Sequence, residues 1–379
     1  MGEKKKKKRV PLFLLTLLFI IIYFALKFST NVATVRPYPY ILSLSPLSPE
    51  EITAIQNADI LIVGDRMGSY LKNFISDLVK PVSRGLQSPV KVYVLANEHE
   101  GLHRTVAKLS QLKKIPKVII YHGGSEEFYE HRFSVEKKNV IFENFNFFQN
   151  DYVSSLITIF PPISRLIYQN PDYLYLGDLV ALDQIQYTDI QKQVQIEIGL
   201  LLYRFHLEDL YNLAKEHKST LIMMTTPLNL EIAPKKICDN STSPLIYNAQ
   251  KKLEETLSSG QIKKSYLDLK KIKENTIGNA RTFYLFGMAA LRLGYITEAV
   301  ESLQAASSFD CQTWRGNAVI NNIIREIANN HHLMLFDFDD YMAQNLGQEG
   351  LFNDEIFPQN LFYQRGMGEL ATLIRKVYF

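Results

Sequence analysis

The chain has 379 residues, of which 46% are hydrophobic and 21% charged. That balance excludes a disordered or fibrous chain and leaves room for one large domain or two modest ones. A formal net charge of +3 is too small to call for a nucleic-acid partner.

The N-terminus departs from that balance. Lys4 to Arg9 are six consecutive cations, 10–26 are 17 residues without a charge, and Lys27 follows. Seventeen is the short end of a membrane span, and Lys27 can extend its stem to the interface. A cleavable signal peptide is the alternative, but its apolar core of roughly 7–15 residues ends in small residues. This one is longer and ends in Tyr23-Phe24-Ala25-Leu26-Lys27-Phe28. The segment therefore reads as a basic cytoplasmic tail (1–9) and an uncleaved anchor (10–28) that sends the remainder across the membrane. Without Lys4–Lys8, Arg9, Lys27 and Glu3, 35 of 42 cations and 38 of 39 anions remain. The exported body is thus net −3, which again gives no reason to expect nucleic acid.

Residues 29–50, with Pro37, Pro39, Pro46 and Pro49, read as an extended linker. From residue 52 short apolar runs alternate with helical stretches. Strands are predicted at 60–63, 90–95, 118–121, 221–225 and 333–338, and helices at 69–79, 102–112, 189–217 and 320–330. Apolar strands separated by helices predict an α/β fold with a parallel sheet covered on both faces. Ligands in such sheets sit beyond the C-terminal strand ends.

A repeat interrupts the alternation. Gly260 and Gly294 are 34 residues apart, and Leu253/Gly287, Ser265/Ala299, Leu269/Leu303 and Ile272/Ala306 keep the same offset. Thirty-four is the tetratricopeptide period, and small residues at these places let two helices approach closely. Two copies are too few for a free-standing solenoid, so 245–310 reads as a helical insertion in a domain made of 51–244 and 311–379. The insertion serves either as structural support or as a protein-binding face.

Cys238 and Cys311 are the only cysteines. In an oxidising compartment two cysteines in loops often pair, but spacing does not fix their distance, so a disulfide and two thiols both remain open. No Cys/His metal spacing occurs, and neither metal nor cofactor is expected.

Two stretches carry the functional signal. Ala58-Asp59-Ile60-Leu61-Ile62-Val63-Gly64-Asp65-Arg66 reads as a buried strand, a tight turn and a helix; Asp354-Glu355-Ile356-Phe357-Pro358 lies near the C-terminus. Together they resemble the SGNH (GDSL-type) hydrolases, which place Gly-Asp-Ser after the first strand and Asp-x-x-His-Pro before the last helix. The resemblance spans residues 52–379. It implies a flavodoxin-like three-layer fold, in a membrane-anchored branch with a TPR-like insertion. Gly64 and Asp65 match the family pattern, while Arg66 stands where the serine belongs. Arginine cannot act as a nucleophile, but its planar fork suits a carboxylate or phosphate. Gly101, after the second strand, resembles the family's oxyanion glycine. In Gly123-Gly124-Ser125-Glu126, Gly124 takes the third-block glycine place and Glu126 replaces the asparagine donor. Asp354 matches the orienting aspartate, and Phe357 replaces the histidine base. An Arg66–Glu126 ion pair across the old pocket would account for both replacements.

Other candidates have two readings each. Ser69 is a relocated nucleophile or a helix-start residue. His122 is a base at a strand end or a buried structural histidine. His99 and His103 are a metal-binding pair or surface histidines. Aromatic residues at 142–148 cover the pocket, touch the membrane or form a core loop. Asn240-Ser241-Thr242 matches a glycosylation acceptor.

The leading expectation is an anchored, exported, catalytically degenerate SGNH-like binding or scaffold module at a cell envelope. A glycan, acyl or anionic ligand would sit near Gly64, Asp65, Arg66, Gly101, Gly124 and Glu126. The rivals are an esterase or O-acyltransferase on envelope polysaccharide or lipid, using Ser69 with His122 or His103, and an adaptor working through the repeat.

Overall fold

A computed structural model of the chain describes residues 9–29, 40–42, 47–139, 142–143, 174–176, 185–238, 244–275, 278–312 and 314–378. The chain divides into two compact units, Met1–Ser43 with Arg132–Asp178, and Leu44–His131 with Leu179–Phe379.

The first unit contains helix α1 (Arg9–Ser29) and strand β1 (Tyr40–Leu42). The predicted anchor falls on α1, whose apolar side chains from Leu14 to Phe24 are exposed. Among the described residues no helix is long and apolar enough to cross a membrane. β1 lies inside the predicted linker and pairs in parallel with a strand at Leu174–Leu176. The aromatic run at 142–148 lies mostly outside the described residues, and the glycosylation motif entirely so.

The second unit is built from the predicted apolar runs. Helix α2 (Pro49–Gln56) starts on a capping box made by Ser48 and Glu51. Strand β2 (Ile60–Gly64) follows, rich in β-branched residues and buried throughout, as a central parallel strand requires. Helices α3 (Arg66–Tyr70) and α4 (Ile75–Ser83) are joined by a 3₁₀ turn at Leu71–Phe74. Next come β3 (Val92–Val94), α5 (Leu102–Leu109) and β4 (Val118–His122). The Leu174–Leu176 strand of the first unit is β5. The order resumes with α6 (Asp189–Glu216) and β6 (Thr220–Met224).

Helices α7 (Pro244–Ser258), α8 (Ile262–Asn275), α9 (Ala280–Arg292) and α10 (Ile296–Ser308) form their own apolar cluster. Gly260 and Gly294 close the two hairpins with φ of +86° and +80°, the left-handed conformation glycine adopts without strain. The chain ends with α11 (Ala318–Asn330), β7 (Met334–Phe336), α12 (Phe338–Ala343) and α13 (Asn360–Tyr378).

The main sheet is five-stranded and entirely parallel, in the order β3-β2-β4-β6-β7. Period-two alternation divides its side chains between two layers. Leu61, Val63, Ile119, Tyr121, Leu221 and Met223 face α5, α6 and α11. Ile60, Ile62, Val118, Ile120, Ile222 and Met224 face α4, α12 and α13. This is a three-layer α/β/α arrangement. In sheet-strand order it reads 2-1-3-4-5, the doubly wound order whose switch point lies between β2 and β4.

Candidate functional site

The switch point brings the ends of β2 and β4 together, and Gly64 makes the crossing tight. Its φ is +138°, and an added Cβ would lie 1.9 Å from the His122 carbonyl oxygen. Only glycine fits there.

Asp65 comes next and caps α3. Its Oδ1 accepts from the Met67 N–H at 2.9 Å. Its Oδ2 accepts from the N–H groups of Gly124 (3.0 Å), Ser125 (2.6 Å) and Glu126 (2.9 Å), and from the Ser125 hydroxyl at 3.0 Å. The loop after β4 thus wraps one carboxylate oxygen in successive amides, an anion-binding nest filled from within the chain. Burial pushes the Asp65 carboxyl above its ordinary value, opposed by these donors and the Arg66 charge. The Gly124 N–H, expected beside a ligand, is committed to Asp65. The cap also corrects one expectation: α3 starts at Arg66, so Ser69 is not its start residue. The Ser69 N–H donates to the Asp65 carbonyl oxygen at 2.9 Å.

Arg66 is held by the same loop. Its Nε donates to Ser125 Oγ at 3.2 Å, and its Nη2 donates to the carbonyl oxygens of Ser125 (3.3 Å) and Trp314 (2.7 Å). Nε lies 3.6 Å from Glu126 Oε1, the ion pair anticipated from the two replacements. Glu126 Oε2 accepts from the backbone N–H of His99 at 2.6 Å and of Arg66 at 3.3 Å. Burial and the nearby Asp65 charge raise the Glu126 carboxyl, against the pull of Arg66.

Arg66 and Glu126 line a cleft of about 440 Å³. Its other walls come from far along the chain. Tyr129 stacks on His99 at 4.5 Å. Tyr187, Lys192 and Gln195 come from the start of α6 and the segment before it, and Cys311, Gln312 and Trp314 from the strap after α10. A Cys238–Cys311 disulfide, with Cα atoms 5.8 Å apart, ties that strap down. So does Asp310, which accepts from the N–H groups of Lys235, Lys236 and Gln312, each at 3.0 Å.

The remaining candidates lie elsewhere. Gly64, Asp65, Gly101 and Gly124 do not line the cleft. Gly101 caps α5, and the Leu102 N–H beside it donates to Glu127. His103 is buried rather than on the surface: its Nε2 sits 2.6 Å from Glu130 Oε2, and Arg104 also pairs with Glu130. Burial would raise Glu130, but His103 and Arg104 outweigh it and hold it at about 2. His99, half-exposed, shares no cation site with His103: among the described residues no group of His, Cys, Asp and Glu could hold a metal ion.

His122, fully buried, sits beside Phe338 and Tyr363, with ring centroids 6.3 and 6.4 Å away. Among the described residues no acceptor or donor reaches either ring nitrogen in good hydrogen-bond geometry. Burial lowers it to about 3 against a pull from the Met224 backbone, so the ring is neutral near pH 7. Among the described residues no imidazole hydrogen-bonds the Ser69 hydroxyl. Phe357 stacks on Tyr70, with centroids 4.3 Å apart, and Asp354 Oδ1 accepts the N–H groups of Ile356 and Phe357, each at 2.7 Å. That aspartate therefore shapes a turn, and among the described residues no histidine pairs with it.

One cluster at the strand ends was missed from sequence. Asp337, after β7, accepts from Thr225 Oγ1 at 2.9 Å and from Arg325 Nε at 2.6 Å, and Arg325 Nη2 donates to Asp339 at 2.9 Å. Burial raises Asp339 to about 6 despite Arg325. The run Asp337-Phe338-Asp339-Asp340 behind a strand was the available signal. Its partners Thr225 and Arg325 were not.

No family model matches the chain, and no curated protein does. Among solved structures the chain is similar to a GDSL-like lipase from Bacteroides thetaiotaomicron, at 9% identity and a TM-score of 0.36, over 88% of this chain and 92% of that one. A likeness that slight carries no weight for activity. The α/β fold stands on this chain's own parallel sheet.

Proposed function

We propose that the protein is an anchored, exported, SGNH-like binding module at a cell envelope whose hydrolase chemistry has been lost. One observation carries the reading. A fixed guanidinium, not a hydroxyl, stands at the strand-end switch point beside a formed cleft. An ester hydrolase needs a nucleophile and a base within hydrogen-bond reach. Here Ser69 has no imidazole partner among the described residues, His122 is buried and neutral, and Phe357 is stacked on Tyr70. In this reading α1 is the anchor, and α7–α10 form a TPR-like insertion. Tyr247, Leu267, Tyr295, Ile296 and Phe309, exposed on or beside these helices, support a protein partner there.

The test is acetyl-ester turnover by the full chain in detergent, alongside Ser69→Ala. Turnover at the uncatalysed rate in both is expected. Turnover that disappears in Ser69→Ala would make the protein an enzyme and overturn the reading.

A further inference from the structure

One surface of the molecule is charged against the sign of the rest. The body after residue 28 is net −3, yet α8 holds five lysines, Lys263, Lys264, Lys270, Lys271 and Lys273, against Asp268 and Glu274. The neighbouring α7 has two lysines and two glutamates, which cancel. Helical spacing collects most of the α8 charge on one side. Lys263, Lys264, Leu267, Lys270, Lys271 and Glu274 fall on a single stripe, and all are exposed. Ser265, Tyr266 and Leu269 turn away from it and are buried in the insertion. The stripe runs for roughly 16 Å along the helix.

Leu267 sits at the centre, 50% exposed. Lysines lie four and three residues before it and three and four after it, so ammonium groups surround an apolar side chain. Among the described residues Lys263 and Lys264 have no carboxylate partner, and Lys270 has Glu298 of α10 only at 3.8 Å, an exposed pair. The residue types favour one kind of partner. The stripe has no arginine, whose planar fork suits one defined carboxylate or phosphate. Lysine is a hydrated point charge, depleted at protein–protein interfaces, and suits a diffuse array of negative charge. An apolar centre with a lysine rim is the pattern of a helix lying at a bilayer surface.

We infer that the solvent face of α8 docks on an anionic lipid bilayer. Leu267 would enter the boundary between headgroups and acyl chains, and Lys263, Lys264, Lys270 and Lys271 would meet lipid phosphates. This rests on the anchored reading, in which a tether keeps the bilayer within reach and makes a weak contact count. It takes Leu267, alone among the exposed apolar side chains of the insertion, from the protein partner. The same bilayer repels the net negative body, so the α8 face is the one that turns towards it.

The experiment places the full chain in lipid nanodiscs and uses Leu267→Trp, whose added indole is quenched when it meets brominated acyl chains. Trp314 is the only native tryptophan, so the unsubstituted chain supplies the background. In discs of brominated phosphatidylcholine with phosphatidylglycerol, the added emission should fall at least about twofold. In brominated phosphatidylcholine alone it should stay within about a tenth of its unquenched value. High salt should remove the quenching, as should Lys263→Gln, Lys264→Gln, Lys270→Gln and Lys271→Gln combined. All four lysines are exposed, so thermal melts of that variant should match the parent.

Equal quenching in both discs, quenching that survives the four substitutions in a folded chain, or none in the anionic discs overturns the inference. An emission shift with polyglutamate in detergent, absent from the anionic discs, gives the stripe to an acidic protein and also overturns it. Failure of the anchored reading shows separately. The chain would then leave phosphatidylcholine discs on gel filtration without detergent, where the lysines have no net charge to hold them.

Discussion

The two regions that would meet in a working hydrolase are stabilised in opposite ways. At the end of β2, Asp65 gathers four donors on one oxygen and Arg66 is tied to Ser125, Glu126 and Trp314. At residues 354–357, the contacts are a turn aspartate and the Phe357–Tyr70 stack, continued through Tyr363 to Phe74. Gly64, Asp65 and Asp354 shape the backbone on each side. Beside them stand a tethered cation on one side and an aromatic ring on the other. A polar clamp fixes a charge in place. An aromatic stack only fills space.

The largest expected effect tests the geometry beneath the clamp. Gly64→Ala places a Cβ 1.9 Å from the His122 carbonyl oxygen, so a loss on the order of 4 kcal/mol, or no fold, is expected in denaturant melts. Asp65→Ala follows closely. It leaves the amides of Gly124, Ser125 and Glu126 without their acceptor and should cost on the order of 3–5 kcal/mol. A cost under about 1 kcal/mol in the same melts would break the contrast with the aromatic side.

Opening the Cys238–Cys311 link by the paired serine variant should cost about 2–4 kcal/mol, since it closes a loop with a sequence separation of 73. Trp314 fluorescence should change in the native state, because the strap carrying the Arg66 acceptor loses a tether.

Acid should destabilise the fold in two windows. His122 is held at about 3, below its ordinary 6.5, so the unfolded chain binds the extra proton between those values and stability falls as pH drops through them. Glu130, at about 2 against an ordinary 4.5, contributes stability above 4.5 that is lost as pH falls towards 2. Each group adds a slope of up to about 1.4 kcal/mol per pH unit. Asp339 opposes them: raised to about 6 from 3.8, it contributes stability at low pH that is lost as pH rises between those values. His122→Phe should flatten the upper window, as pH-dependent urea melts would show.

Phe357→Ala has the smallest expected cost, about 1–2 kcal/mol, because the ring is half-buried and its main partner is one stacked tyrosine. A loss as large as that of Asp65→Ala would erase the distinction between the two sides.

Much of the sheet was legible because short continuous apolar runs rich in β-branched residues, separated by helical stretches, mark buried parallel strands locally. The Arg66–Glu126 contact was legible too, since two replacements of opposite charge at facing loops imply each other. The start of α3 was not. Ser69 carries the usual cap chemistry, but Asp65 sits four residues earlier at the strand end and takes that role. His103 looked exposed because Glu130, which buries and pairs it, lies 27 residues away. The cleft walls were invisible for the same reason. Trp314 reaches Arg66 only through tertiary packing, and no local pattern encodes an acceptor 248 residues away.

In the proposed reading Arg66 stands where a nucleophile would, and the cleft binds without reacting. Intact-mass measurement of the full chain after incubation with a serine-reactive fluorophosphonate tests it most directly. The account predicts an unmodified mass while circular dichroism reports a folded chain. A single adduct mapping to Ser69, absent after denaturation and from Ser69→Ala, would contradict it.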